Sequence, residues 1–121
     1  MITPYLKTNI RYQTNVVIID LVGEINTETE LILNGAYTTA SSRQTPTIVL
    51  NLSEVKYITS GGIAVLLDIL GRARQADRQL IVYGLSKHYY EIFRIMHLTD
   101  FMKVFPDEAA ALKQITGQEY R

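Results

Sequence analysis

The sequence predicts an α/β fold built on a mostly parallel, four- to five-stranded sheet with helices beside it, in the order β-β-α-β-α-β-α-β-α. Three observations carry this. The runs Val16–Val22, Thr47–Leu52 and Leu80–Tyr83 are almost wholly β-branched or aliphatic, the signature of strands buried on both faces. Segments between them place apolar residues three and four apart, which makes one face of a helix. Strands that alternate with helices need crossover connections, so the sheet they form is mostly parallel.

Taken in order, Thr8 to Tyr12 alternates polar and apolar residues and predicts a short edge strand, joined by a tight connection at Gln13-Thr14-Asn15 to the next. That pair forms an antiparallel hairpin. Val16–Val22 is then closed by Gly23, and Asn26 or Thr27 caps a helix running to about Ser41, with Leu31, Ile32, Ala36 and Ala40 facing inward. Pro46 bars its continuation. Thr47–Leu52 is a central strand, followed by a loop from Ser53 to Thr59 and a helix over 63–76 with Ile63, Leu66, Leu67, Leu70 and Ala73 on its inner face. Asp77-Arg78 ends that helix and Leu80–Tyr83 is the third buried strand.

Gly84-Leu85-Ser86 turns into a helix from Lys87 to His97 whose apolar surface comes from Tyr90, Phe93, Ile95 and Met96. Phe101–Phe105 is a short last strand. Pro106-Asp107-Glu108 opens a helix from Asp107 to Ile115 that ends at Gly117, with proline early and acids at the positive end of the dipole.

A chain of 121 residues that is 47% hydrophobic has the size and core of one domain, here expected to span residues 1–121. Twelve basic and twelve acidic residues cancel, which removes the attraction that nucleic acids and anionic membranes exploit. With no cysteine there are no disulfides, thiolate metal sites or cysteine nucleophiles, in keeping with a reducing compartment. No run approaches the ~18 apolar residues of a membrane span, and no basic stretch followed by an apolar run opens the chain, so a cytoplasmic protein without direct membrane insertion is expected.

A search for catalytic chemistry returns little. His88 and His97 lie nine apart on one predicted helix and point in nearly opposite directions, so they cannot share a metal through it. Ile58-Thr59-Ser60-Gly61-Gly62 lacks the first glycine of a nucleophile elbow, and Gly61-Gly62 lacks the pattern of a dinucleotide loop or a P-loop. The acids Glu28 and Glu30, like Asp107 and Glu108, sit in opening helical turns where they complement the dipole. The expectation is no catalytic residue, no metal, no cofactor and no enzyme activity.

One segment stands apart. Tyr57-Ile58-Thr59-Ser60-Gly61-Gly62 joins the carboxyl end of a central strand region to an amphipathic helix, where binding sites of open parallel sheets collect. Its small residues let a partner's backbone approach, and Ser60 offers a hydroxyl at a helix start. A phosphate there faces backbone N–H groups and the positive end of the dipole. The plainer alternative is that Ser60 is the N-cap of the helix, contributing about 1 kcal/mol.

The stretch Ile48-Val49-Leu50-Asn51-Leu52-Ser53-Glu54-Val55-Lys56-Tyr57-Ile58-Thr59-Ser60-Gly61-Gly62-Ile63-Ala64-Val65-Leu66 resembles the signature of the STAS domain, the family of sulfate transporters and anti-sigma factor antagonists. Val22-Gly23-Glu24-Ile25-Asn26 is similar to the family's Gly-Glu-Leu-Asp turn, and the segments 80–86 and 92–98 resemble the following strand and helix. The resemblance implies a module that binds an anti-sigma factor that is also a serine kinase, is released by phosphorylation of a helix-start serine, and is reset by a phosphatase. It points to Ser60 as the phosphorylated residue, with Thr59 as the alternative; the helix face turned away from the core, flanked by Asn26 and Thr27, completes an expected partner-binding surface of Asn26, Thr27, Thr59, Ser60, Gly61, Gly62, Ala64 and Asp68. This chain has Thr59 where the family usually has aspartate, Gly61 where a second hydroxyl residue is common, and Asn26 where an acid is usual. Two other readings stay open: a small STAS subunit supporting a membrane transporter, and a scaffold with a silent site.

Overall fold

The structure, a computed structural model, describes residues 5–119. The expected domain also takes in residues 1–4 and 120–121, which lie outside the described residues. Strand β1 spans Leu6–Gln13, β2 Val16–Ile25, α1 Glu30–Ser41, β3 Thr47–Ile58, α2 Ser60–Gln75, β4 Gln79–Tyr83, α3 Lys87–Ile95, β5 Lys103–Phe105 and α4 Glu108–Glu119. Short 3-10 turns at Thr27–Thr29 and Leu98–Asp100 are the additions to the expected order.

The strands form one sheet in sequence order, with β1 antiparallel to β2 and every other pair parallel. Alternation across the pleat explains the continuous apolar runs. Val17, Ile19, Leu21, Ile48, Leu50, Leu52, Leu80 and Val82 pack with residues of α1, α2 and α3. Their neighbours Val16, Ile18, Val49, Ile81 and Tyr83 pack instead with Ala111 and Ile115 of α4. Burying each such side chain contributes about 1.5–3 kcal/mol.

Several boundaries and faces differ from expectation. Gly23 does not close β2: the strand passes through it at φ 131°, beside a register shift, and reaches Ile25. The expected loop from Ser53 is strand as far as Ile58, because the lengthened β2 supplies a partner through Ile25↔Ile58. In α1 the inner stripe is Leu33, Ala36, Tyr37 and Ala40, while Leu31 is 85% exposed, about 200° around the helix from Leu33. Ile32 is also exposed.

In α2, Val65 and Ile69 join Ile63, Leu66, Leu70 and Ala73 inside, and Leu67 faces out. In α3 only Phe93 is fully buried, backed by Tyr89 and Ile92; Tyr90, Ile95 and Met96 are exposed. His97 falls outside that helix, in a left-handed conformation at φ 63°. Phe101 precedes β5 and is exposed, and α4 runs through Gly117 to Glu119. Asp107 is not its first residue; its carboxylate accepts the Ala110 N–H at 2.9 Å, as an N-cap does.

The acid that follows has a larger role than dipole compensation. Glu108 accepts from Arg11 Nη2 at 2.6 Å and from the Tyr83 hydroxyl at 2.7 Å, which ties the start of α4 to β1 and β4. Arg11 also donates to both oxygens of Asp20, at 2.7 and 2.8 Å, and Asn51 donates to Asp20 at 2.8 Å. Burial by itself would raise the Asp20 carboxyl, but the hydrogen bonds from Arg11, Asn51 and Asn9 outweigh it and hold Asp20 below the ordinary carboxylate value. The hydrogen bonds from Arg11 and then Tyr83 do the same for Glu108. Desolvation, followed by the bond to Glu108, pushes the Tyr83 phenol up.

Both depressed carboxylates bind fewer protons folded than unfolded, so stability rises with pH: their contribution is present above the ordinary carboxylate value and is lost as pH falls through the folded values. Arg11→Gln should therefore flatten the fall in Tm between about pH 5 and pH 3. At neutral pH it should cost about 1–2 kcal/mol, the low part of the range for charged hydrogen bonds, because Arg11 and Glu108 keep 33% and 37% of their side-chain exposure. Thermal melts across that pH range check this; an unchanged pH profile in the variant would remove the network from the stability account.

Candidate functional site

The site lies at the carboxyl ends of β2 and β3, where β2 runs into the 3-10 turn Thr27–Thr29 and β3 into α2. The Thr59 N–H donates to the Ile25 carbonyl at 3.1 Å, which continues the β2–β3 pairing into the first residue beyond β3. Thr59 then caps α2: its hydroxyl accepts the Gly62 N–H at 3.0 Å and its carbonyl accepts from Ile63 at 2.9 Å. The cap is thus Thr59 and not Ser60. Ser60 is the first residue of α2, exposed, and its hydroxyl makes no hydrogen bond within the described residues.

Two glycines shape the surface beside it for different reasons. A Cβ on Gly62 would overlap the Ile25 carbonyl oxygen, so glycine here lets the start of α2 pack on the end of β2. Gly62 is buried. A Cβ on Gly61 would come within 2.5 Å of the Thr27 methyl, so the space beside Ser60 is filled from across the groove by Thr27.

Thr27 is held by a capping box. Asn26 accepts the Glu28 and Thr29 N–H groups at 2.9 Å each, and the Thr29 hydroxyl accepts the Asn26 N–H at 2.9 Å. Thr29 itself is buried.

The structure brings Thr27, Thr59, Ser60 and Gly61 together at one rim, with Asn26 beneath Thr27 as its anchor. Ala64 and Asp68 follow on the exposed face of α2, one and two turns from Ser60. Two contributors act through contacts that only the fold reveals. The Tyr89 hydroxyl on α3 accepts the Ile58 N–H at 3.0 Å and so pins the end of β3 from 31 residues away. Arg72 closes the outer seam of α1 and α2, donating to Asn34 at 3.1 Å and Thr38 at 3.0 Å and lying over the Tyr37 ring.

The first turn of α2 carries no acid, whereas Arg72 and Arg74 sit in its last turn, so α2 itself places no negative charge at the positive end of its dipole beside Ser60. Among the described residues no group of three or more histidine or acidic side chains is placed to hold a metal ion, and no helix is long and apolar enough to cross a membrane.

The division of labour between the two hydroxyls has a measurable consequence. Thr59→Ala should lose about 1 kcal/mol through the cap, whereas Ser60→Ala should leave Tm within the scatter of surface substitutions. Paired thermal melts decide it; an equal loss in both variants would give Ser60 a structural role.

The model of the STAS domain matches residues 7–111. Among curated relatives, an anti-sigma-B factor antagonist of Listeria monocytogenes is 26% identical over 84 residues, covering 69% of this chain and 74% of the relative. Among solved structures, an anti-sigma factor antagonist from Mycobacterium paratuberculosis superposes with a TM-score of 0.81 at 19% identity, covering 93% of this chain and 95% of the other. The unphosphorylated form of the antagonist SpoIIAA gives 0.71 at 16% identity over 93% and 99% of the two chains. A sulfate transporter family protein from Wolinella succinogenes gives 0.79 at 16% identity over 90% and 91%. At these identities the structures speak for the shared fold; it is the match over nearly the whole described chain that places this protein in the STAS domain family.

Proposed function

We propose that this chain is a non-catalytic, single-domain regulator of the cytoplasm that binds an anti-sigma factor acting also as a serine kinase, and that phosphorylation of Ser60 ends the binding. A phosphatase restores the bound state. The observation that carries the reading is the exposed Ser60 hydroxyl, without a hydrogen-bond partner among the described residues because Thr59 supplies the cap, at the positive end of α2, whose first turn carries no acid. Relatives named as anti-sigma factor antagonists support it, as does the existence of SpoIIAA in both unphosphorylated and phosphorylated forms.

The partner surface would run from Asn26 and Thr27 across Thr59, Ser60 and Gly61 to Ala64 and Asp68, with Gly62 setting the shape from beneath. A phosphate adds up to two negative charges to a rim fitted to a neutral hydroxyl, which costs several kcal/mol in desolvation and repulsion once a partner covers it. The fold itself tolerates the group, since the Ser60 hydroxyl makes no hydrogen bond among the described residues.

Mass spectrometry of the protein after incubation with its captured kinase and ATP should find phosphate on Ser60, absent in Ser60→Ala, and Ser60→Asp should fail to capture the partner. Phosphate on Thr59 alone would move the site by one residue. Tight binding with no incorporation at either hydroxyl would leave a scaffold whose site is silent, the outcome that glycine at position 61 favours.

Ala64→Arg should abolish partner capture while leaving Tm within a few degrees, because Ala64 is exposed on α2 and exposed substitutions usually cost less than about 0.5 kcal/mol. Loss of stability in step with loss of binding would show that this face belongs to the fold and not to the partner.

The likeness to the Wolinella succinogenes protein favours a second reading, a small STAS subunit held against a membrane transporter. Affinity capture from native cells separates the two: a soluble kinase supports the first and an integral membrane complex the second.

A further inference from the structure

At the far end of α2 from Ser60, the helix terminus, the turn into β4 and the segment leading into β5 surround a cavity of about 340 Å³. Its floor is apolar, formed by Leu70, Leu80 and Met102, each at most 5% exposed. Three cations line it: Arg74, Arg78 and Lys103. One carboxylate, Asp100, shares the rim and lies 3.3 Å from His97 Nδ1. In a chain whose formal charge is zero, this is a local excess of positive charge.

Two of the cations have no acceptor. Among the described residues, the Arg74 guanidinium touches only the face of the Phe101 ring, at 4.8 Å, and Lys103 has no ion pair or side-chain hydrogen bond. Arg78 is anchored, donating through Nε to the Thr45 carbonyl at 3.1 Å and through Nη2 to the Ser41 carbonyl at 2.9 Å. Its Nη1 has no acceptor among the described residues. The anchor holds one guanidinium in place without neutralising it.

Phe101 is 55% exposed beside this charge, so an aromatic face and two unpaired cations border the same hollow. Cations near a helix carboxyl terminus also complement the dipole, which accounts for Arg74 on α2 but not for Lys103, which belongs to β5.

We propose that this cavity binds a small organic anion: a phosphate or carboxylate held by Arg74, Lys103 and the remaining donors of Arg78, with an apolar or planar body over Leu70, Leu80 and Met102. The volume sits at the lower end of the usual range for ligand pockets, which suits a small molecule better than a dinucleotide. Fourteen residues of helix separate Arg74 from Ser60, about 20 Å, so the site is distinct from the rim at the start of α2 and does not depend on the function proposed for it.

The test uses phenyl phosphate as the probe, with inorganic phosphate and phenol as separate arms, followed by amide chemical shifts of the whole chain. Saturable binding of phenyl phosphate is expected, tighter than either arm alone, weakening with added salt and shifting the amides of Arg74, Gln79 and Phe101. The double variant Arg74→Gln, Lys103→Gln should weaken it on the order of tenfold with its own Tm retained, and Arg74→Gln alone should show an intermediate loss. Any of three results would overturn the proposal: no saturable binding, equal binding of phenol, or affinity unchanged in the double variant. Shifts confined to Thr59–Gly62 would do the same by placing the anion at the other end of the helix.

Discussion

The geometry of the site depends on how closely α2 can approach the end of β2. The Ile25 carbonyl accepts from Thr59, and the backbone of Gly62 lies against the same oxygen, at a separation that leaves no room for a Cβ. Any side chain at position 62 would force the helix off the strand, and with it the Thr59 cap, which needs the Gly62 N–H at 3.0 Å. The position of Ser60, one residue into the helix and turned outward, follows from that approach. The hydroxyl that tempts a functional reading is therefore placed by two neighbours, one supplying a hydrogen bond and the other supplying nothing but space.

From this constraint the surrounding elements take their places. β2 and β3 extend beyond the end of β4, their last pair being Ile25↔Ile58, so the candidate site stands on a ledge of the sheet that β4 does not reach, with β1 still paired to β2 as far as Gly23. A ledge of that kind needs support from the side. The Tyr89 hydroxyl provides it below, at the Ile58 N–H, and the capping box of Asn26 and Thr29 provides it beside, with the Thr29 hydroxyl also donating to the Glu24 carbonyl at 3.1 Å. Thr27 is carried in on this box and fills the space over Gly61, so residues 61 and 27 are sterically coupled although 34 positions apart.

What the sequence showed and what it hid divide along the range of the interactions. Strand and helix order were legible because buried strands and amphipathic helices write their periods into adjacent residues: Val16–Val22 and Thr47–Leu52 could hardly be read otherwise. Helix faces were less so. Leu31 and Ile32 are as apolar as Leu33, and only the 3-10 turn at Thr27–Thr29, which delays the α-helix to Glu30, decides which of them turns inward. The strand from Ser53 to Ile58 hid for a related reason, since Ser-Glu-Val-Lys lacks a buried-strand pattern and is strand because β2 is there to pair with it. The region of the site was legible from its small residues, but the exchange of roles between Thr59 and Ser60 was not, because both are good caps and the choice rests on where Ile25 holds the chain.

That exchange bears directly on whether a charged group can be added and removed without disturbing the fold. If Ser60 were the cap, phosphorylation would act on the bond that starts α2, and the modified state would differ in stability as well as in surface. With Thr59 as the cap and the Ser60 hydroxyl unbonded among the described residues, the two properties separate: the hydroxyl bonded to the fold cannot be altered freely, and the one beside it can. The remote network of Arg11, Asp20 and Glu108 keeps the opposite face of the sheet closed under α4 without reaching this ledge, so modification at Ser60 meets no titrating group of that network. A fold arranged in this way would confine the effect of a phosphate placed on Ser60 to the surface. That is the physical requirement of a switch that must be reset many times without unfolding.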